Sequence, residues 1–503
     1  MADPLHLRTQ ALAKPDAPAV ILGDGTRLTF RALDNGSIAL AHELRRRGLQ
    51  KGDAIALLME NRLEYLLAVW AAMRAGLYVV PVNWHLKADE VRYIVSDSGA
   101  RVVVTSGMHA EVAGSTGVAQ VSVDDPAAWA PVAEAIRANA ALTPASEEAE
   151  GQIMYYSSGT TGRPKGIRRP IQERAFGVPS PIDLFLNGYY KLDHRTTYLC
   201  PAPLYHAAPL NWSMTILRYG GTIVVMKQFD ALEALRLIEA HRVTAAQFVP
   251  TMFVRMLQLP DELRDRYSRA SLALAAHAGA PCAPDLKRRM LDWWGPIIHE
   301  YYGGSEGNGV TAITPQEWLA RPGSVGRAVL GELHVCDEEG REVPRGETGT
   351  VYFGGLPPFE YHGDPEKTRG AYNPHGWSTL GDIGHVDADG YLFLTDRKAF
   401  MIISGGVNIY PLEIENVLAS HPAVQDVAVI GAPHPELGEE VLAVVEPRDG
   451  TTASPALGDE LIAFCRSQIA HFKCPRRVIF DPALPRLPNG KLLKRLVKAR
   501  HVG

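Results

Sequence analysis

Short apolar, β-branched runs alternate with stretches of helical spacing through the first 320 residues. The run 54–59 (AIALLM) predicts a strand, 63–76 (LEYLLAVWAAMRAG) a helix ending near Gly76, and 102–106 (VVVTS) another strand. The rhythm returns at 231–242 (ALEALRLIEAHR), with helical spacing, and at 244–250 (TAAQFVP), a buried strand. Such alternation predicts a layered α/β sandwich with largely parallel sheets. After residue 320 the pattern changes. The segment 342–355 (EVPRGETGTVYFGG) is rich in turn formers and short strands, as in a small β-subdomain. From 397 a new unit starts, with a helix at 412–419, strands at 424–432 and 441–446, a helix at 457–469 and a basic tail. The expected organisation is a large N-terminal domain, 1–396, and a small α+β domain, 397–503, with a cleft between them that suits a ligand.

Composition narrows the class. The chain has 503 residues, about three folding units on ordinary domain sizes. With 46% hydrophobic and 21% charged residues it is a globular chain, and a net charge of −5 gives no footing for nucleic acid. Cys200, Cys282, Cys336, Cys465 and Cys474 are scattered and odd in number, which reads as reduced thiols. The first residues have no apolar signal core, and the apolar stretch 66–73 is bounded by Glu64 and Arg74, too short for a membrane span. A cytoplasmic protein is expected.

The most specific segment is 155–166 (YYSSGTTGRPKG), which follows an apolar run, 152–156, expected to be a strand. Glycines let backbone approach an anion, hydroxyls and amides donate to phosphate oxygens, and Lys165 adds charge. It is not a Walker loop, because the lysine follows proline and no Gly-Lys-Ser/Thr occurs. A flexible surface turn is the plain alternative. The whole string resembles the phosphate loop of the adenylate-forming superfamily. Those enzymes include acyl-CoA synthetases, firefly luciferases and peptide-synthetase adenylation domains. The resemblance to the acyl-CoA synthetases runs along nearly the whole chain. It implies an α/β fold in which a large N-terminal domain of layered αβαβα sheets, with a β-subdomain, carries a small mobile α+β C-terminal domain. Ser157, Ser158, Gly159, Thr160, Thr161, Gly162 and Lys165 would then hold the phosphates of ATP.

Further motifs follow in the family's order. YYGGSEG (301–307) resembles Tyr-Gly-x-Thr-Glu. The resemblance implies that Tyr302 stacks on adenine beside Gly303, that Ser305 bonds the α-phosphate, and that Glu306 and Thr160 hold Mg²⁺, a cation that takes few carboxylate or hydroxyl oxygens. HAGAP (277–281) resembles the segment along the adenine, with Gly279, Ala280 and Pro281; a tight turn explains it equally well. GWSTLGD (376–382) is similar to the Thr-Gly-Asp motif, with Leu380 in place of threonine, and implies that Asp382 accepts the ribose hydroxyls. DRKAFMIISGGVNIYPLEIE (396–415) resembles the hinge and the loop after it. There Arg397 would reach the ribose, Lys398 and Ala399 would form the hinge, and Gly405 and Gly406 would border the pantetheine channel. Ala399 replaces the usual charged hinge residue. LPRLPNGKLLK (484–494) resembles the motif of the catalytic lysine, here Lys491; alone it is a solvated basic tail. HFKCPRR (471–477) lies where related ligases meet coenzyme A, which implies Phe472 on its adenine and Lys473 and Arg476 on its phosphates. A basic surface turn looks the same.

The implied chemistry follows from charge. A carboxylate is a poor electrophile, and joining it to the α-phosphate of ATP makes AMP the leaving group. Two anions must meet, so Mg²⁺ on Glu306 and the Lys491 ammonium would neutralise them. The thiol of CoA then takes the acyl group. The segment 201–212 (PAPLYHAAPLNW) carries the acid clue: His206 follows Tyr205 where amino-acid-activating relatives have an aspartate. That disfavours an amino acid and implies that His206 lines the acid site; a packed core histidine is the alternative. A fatty acid is the first expectation, with an aromatic, terpenoid or steroid side-chain acid beside it. Delivery of the acyl group to a carrier protein is a further alternative, and luciferase-like oxidation and nucleotide binding without catalysis are rivals. The expected partners are the acid, ATP and CoA; a homodimer is left open.

Overall fold

The computed structural model describes residues 5–145, 148–157, 164–171, 175–397, 400–404, 407–486 and 492–502, except the side chains of Asp396, Arg397 and Asn408. Two sheets form the body. In the described residues one has nine strands, running from Arg327–Leu330 through Val310–Ile313, Ile298–Gly303, Leu274–His277, Ala245–Phe248, Thr197–Cys200, Thr222–Val225 and Pro18–Leu22 to Arg27–Thr29. The six pairs between Ile298–Gly303 and Arg27–Thr29 are parallel except the last, and both strands beyond Ile298–Gly303 are antiparallel. The other sheet has five parallel strands, ordered Ala119–Ser122, Ala100–Thr105, Ala54–Leu58, Tyr78–Pro81 and Gln152–Ile153.

Helix Leu63–Arg74 lies between these sheets and buries eleven of its twelve residues. It touches strand Pro18–Leu22 of one sheet and Ala54–Leu58 of the other. A helix that is apolar all round can only sit in a middle layer. Its end is fixed by Gly76, whose φ of +72° is open to glycine at little cost. Helices Ala231–Ala240, Pro250–Leu257 and Pro284–Trp294 cover the far face of the nine-stranded sheet, and Ala88–Asp97 covers the far face of the other. The layers therefore run α-β-α-β-α. A four-stranded antiparallel sheet, Glu332–Cys336, Gly349–Gly354, Ser378–Val386 and Leu392–Arg397, forms the β-subdomain. The C-terminal unit has its own sheet of Val407–Ile409, Ile402–Ser404, Gly438–Pro447 and Val424–His434, with Arg477–Phe480 joined in parallel, and its own core.

Several expected bounds shift. The helix expected to 76 stops at Arg74, and that expected over 231–242 stops at Ala240. The strand expected at 441–446 runs over Gly438–Pro447. The single strand expected at 152–156 is two: Gln152–Ile153 joins the five-stranded sheet, while Tyr155–Ser157 joins a three-stranded antiparallel sheet with Lys165–Arg168 and Glu360–Tyr361. Met154, 1% exposed, makes the step between them.

Candidate active site

Strands Thr197–Cys200, Ala245–Phe248, Leu274–His277 and Ile298–Gly303 are mutually parallel, so their carboxyl ends share one edge. The segments 201–212, 277–281 and 301–307 leave from that edge, where open α/β sheets bind ligands. Direction reverses at Ile298–Gly303, since Val310–Ile313 returns antiparallel beside it.

Tyr302 and Asp382 meet here. The tyrosine hydroxyl donates to Asp382 Oδ2 at 2.5 Å, although 80 residues separate them. Asp382 is 5% exposed and stands opposite Arg397 in the strand pair, so both ribose candidates lie at one level. Leu380, where the motif has threonine, lies on Gly304. A β-carbon at Gly304 would stand 2.5 Å from Leu380 Cδ1 and 2.8 Å from Glu306 Oε2. The absent side chain at 304 and the larger one at 380 thus compensate.

Glu306 is held from two sides. Its Oε1 accepts from the Tyr361 hydroxyl at 3.0 Å. Arg169 Nη2 donates to the Glu306 carbonyl at 2.8 Å and to the Gly307 carbonyl at 2.6 Å, fixing the turn that carries the carboxylate. Tyr361 pairs with Ile167, and Ser157 with Lys165, so the two ends of the phosphate loop are tied to this turn. Lys165 Nζ lies 2.9 Å from Asp364 Oδ2, and that carboxylate raises the ammonium above its ordinary value. Lys367 lies over the Tyr361 ring at 4.2 Å, and burial lowers its ammonium. The Glu306 carboxylate, with Oε2 turned to the Gly304 turn, would give a Mg²⁺ one ligand, its remaining ligands coming from phosphate and water. Among the described residues no group of three or more His, Cys, Asp or Glu could hold a metal.

The segment 277–281, expected along the adenine, rests on a buried base. His277 and Lys287 are fully buried, and Lys287 Nζ lies 2.6 Å from Glu300 Oε2. Gly279 follows with φ +83°, Ala280 is half-buried and Pro281 exposed. Gly303 ends its strand and Ser305 is exposed in the turn. His206 caps helix Ala207–Tyr219 with its ring 4.5 Å from that of Tyr205.

Other expected residues fall elsewhere. Ser158, Gly159, Thr160, Thr161, Gly162, Lys398, Ala399, Gly405, Gly406, Lys491 and the Arg397 side chain lie outside the described residues. Phe472, 59% exposed, and the exposed Arg476 sit on the C-terminal unit. Lys473 makes a two-oxygen ion pair with Glu413, at 2.7 and 3.0 Å, which a CoA phosphate would have to displace. Sequence reasoning missed Arg169, Tyr361 and Lys367. The Arg168–Arg169 doublet just past the phosphate loop was the visible signal for the first; the other two gave none.

Comparison with known proteins gives the family. The chain matches the AMP-binding enzyme family over residues 7–357 and the AMP-binding enzyme C-terminal domain over residues 413–491. It is 32% identical to the long-chain-fatty-acid–CoA ligase FadD13 of Mycobacterium tuberculosis, over 98% of this chain and 97% of that one. It is 33% identical to the feruloyl-CoA synthase of an Amycolatopsis species, again over 98% and 97%. The ATP-bound crystal structure of MatB from Rhodopseudomonas palustris superposes with a TM-score of 0.84 at 28% identity, covering 99% of both chains. Two family domains in this order and relatives matched end to end leave one assignment: the chain belongs to the AMP-binding enzymes of the adenylate-forming superfamily, as an acyl-CoA synthetase, an AMP-forming acid–thiol ligase.

Proposed function

We propose that this ligase adenylates an apolar organic acid and then passes the acyl group to CoA. A carboxylate oxygen attacks the α-phosphorus of ATP, the bond to the bridging oxygen breaks, and pyrophosphate leaves. The CoA sulfur then attacks the acyl carbon, its proton is lost, and AMP leaves. Glu306 and Thr160 would hold Mg²⁺, which would supply positive charge at the phosphates. Lys165 and the other loop residues bind phosphate, Asp382 and Arg397 take the ribose, and Tyr302 takes the adenine. Lys491, carried by the 397–503 domain, meets the α-phosphate and carboxylate. That domain then turns about Lys398–Ala399, bringing Gly405 and Gly406 to the CoA channel, with Phe472, Lys473 and Arg476 outside it. His206 lines the acid site.

The observation that carries this reading is the Tyr302–Asp382 bond at 2.5 Å beside the Glu306–Tyr361 bond at 3.0 Å. Residues from four separate segments converge on one cleft edge, with Lys165 and Lys367 to balance an anion. One relative is named for a long-chain fatty acid and another for ferulate, so both a fatty acid and an aromatic acid are carried forward. Among the described residues no helix is long and apolar enough to cross a membrane. We take the cytoplasm as its compartment because ATP and CoA are its substrates.

Acid-dependent exchange of pyrophosphate into ATP tests the first half-reaction, and AMP release with and without CoA tests the second. Glu306→Gln should lower exchange on the order of 100-fold or more, as loss of a preorganised electrostatic group does. Exchange that ignores added acid or magnesium, or AMP release as fast without CoA as with it, contradicts the proposal.

A further inference from the structure

We infer that Asn61 is a positioning residue for the acid: it holds the turn that presents His206, reaching it from the other sheet of the body. This rests on the ligase reading above, in which His206 lines the acid site. The Pro203 carbonyl accepts from His206 N at 3.2 Å, closing a turn over Leu204 and Tyr205. The His206 carbonyl accepts from Leu210 N at 3.2 Å, so the turn runs straight into helix Ala207–Tyr219. The turn leaves backbone groups of its own to satisfy. Ala202 and Leu204 are both buried, so their free polar groups need a partner from the protein. One side chain serves both. Asn61 Nδ2 donates to the Ala202 carbonyl at 3.1 Å, and Asn61 Oδ1 accepts from Leu204 N at 2.8 Å. The same Nδ2 donates to the Met226 carbonyl at 2.8 Å, just past strand Thr222–Val225. Both amide hydrogens and the oxygen are thus engaged.

The arm that carries this amide is itself anchored. Asn61 is 5% exposed and follows strand Ala54–Leu58 of the five-stranded sheet, two residues before helix Leu63–Arg74. On either side of it the chain is tied down. Glu60 accepts from Ser106 Oγ at 2.7 Å, and Arg62 pairs with Glu60 at 3.2 Å and with Glu64 and Asp124 at 2.8 Å each. A short buried side chain on such a base fixes the height of the turn, as a supporting residue must if the group it supports is to stay in place. Its reach is one-sided. Among the described residues none of its hydrogen bonds goes to the segment 277–281, the turn 301–307 or strand Tyr155–Ser157. Loss of the amide therefore disturbs the acid side and leaves the nucleotide side in place. An aspartate of the same shape would keep the Leu204 bond but set an oxygen against two carbonyls.

The test uses the full chain with Asn61→Ala and Asn61→Asp. Pyrophosphate exchange into ATP is followed on butanoate, octanoate, hexadecanoate, benzoate and cinnamate, and the fastest of these serves as the probe acid. Each variant should lower kcat/KM for that acid about tenfold or more while KM for ATP stays within about twofold, since a displacement of about 1 Å in a positioned group is enough for such a loss. Leu66→Ala, in the helix that follows, is the control: it should lower the melting temperature and leave the ratio of the two KM values unchanged. Amide hydrogen–deuterium exchange supplies a readout that needs no turnover. Asn61→Ala should speed it over 202–206 and leave 301–307 as in the unmodified chain. Acid and ATP parameters that shift by one common factor, as in a merely structural role, overturn the proposal, and so does unchanged amide exchange over 202–206. Faster amide exchange there in a protein that turns over none of the five acids keeps the Asn61 contact and sinks the ligase reading. Turnover in the unmodified chain with no separation of acid from ATP in either variant keeps the ligase and sinks the role of Asn61.

Discussion

Three side chains carry most of what can be measured one residue at a time. Tyr302→Phe removes the hydroxyl that reaches Asp382 and leaves the ring. A hydrogen bond to a charged group contributes about 1.5–3 kcal/mol to the folded state, so the melting temperature should fall by a few degrees, and KM for ATP should rise because Asp382 loses the group that positions it. Glu300→Gln acts below the site. It strips Lys287, fully buried, of its partner at 2.6 Å, and a buried charge left alone costs about 3–5 kcal/mol, read as a lower urea midpoint. His299 reports on pH. Burial, with Lys287 nearby, holds its imidazole down at about 4 against an ordinary 6.5. The folded protein therefore keeps the ring neutral where the unfolded chain would protonate it. Its contribution is complete above pH 6.5 and is lost as pH falls towards 4. His299→Gln should flatten that part of the stability–pH curve, followed by thermal unfolding.

At the scale of elements, the middle-layer helix Leu63–Arg74 is the most exacting. Leu66 is fully buried between two sheets, and Leu66→Ala should cost about 2–5 kcal/mol in chemical denaturation. This helix was legible from the chain because being apolar on every side is a local property. Its stop two residues before the expected 76 was nearly legible too, since Gly76 marks it. The run 152–156 was not. Locally it is one extended stretch, yet Gln152–Ile153 pairs with Tyr78–Pro81 and Tyr155–Ser157 with Lys165–Arg168. The choice of partner lies outside the run, so no local pattern records it. The same reason hid Tyr361, which reaches Glu306 from a strand 55 residues later, and Lys367, which lies over the Tyr361 ring. The motifs could be read in order; their meeting could not.

For the whole molecule, the division of labour between the body and the C-terminal unit is the testable matter. That unit has a separate sheet and a separate core, as a part that moves as one piece requires. Lys491→Ala should abolish acid-dependent exchange yet largely spare thioester formation from supplied acyl adenylate. Equal loss of both half-reactions would remove the lysine from its assigned step.

The contact between Gly304 and Leu380 also sets an order on change. With the leucine in place, even a methyl at 304 would crowd both Leu380 and the Glu306 carboxylate. A side chain at 304 would therefore need the Leu380 and Glu306 side chains to shift, and the motif's threonine at 380 would open space at 304. Gly304→Ala alone should lower acid-dependent exchange, and Leu380→Thr introduced beforehand should restore the part of that loss due to the Leu380 side chain, leaving the part due to Glu306.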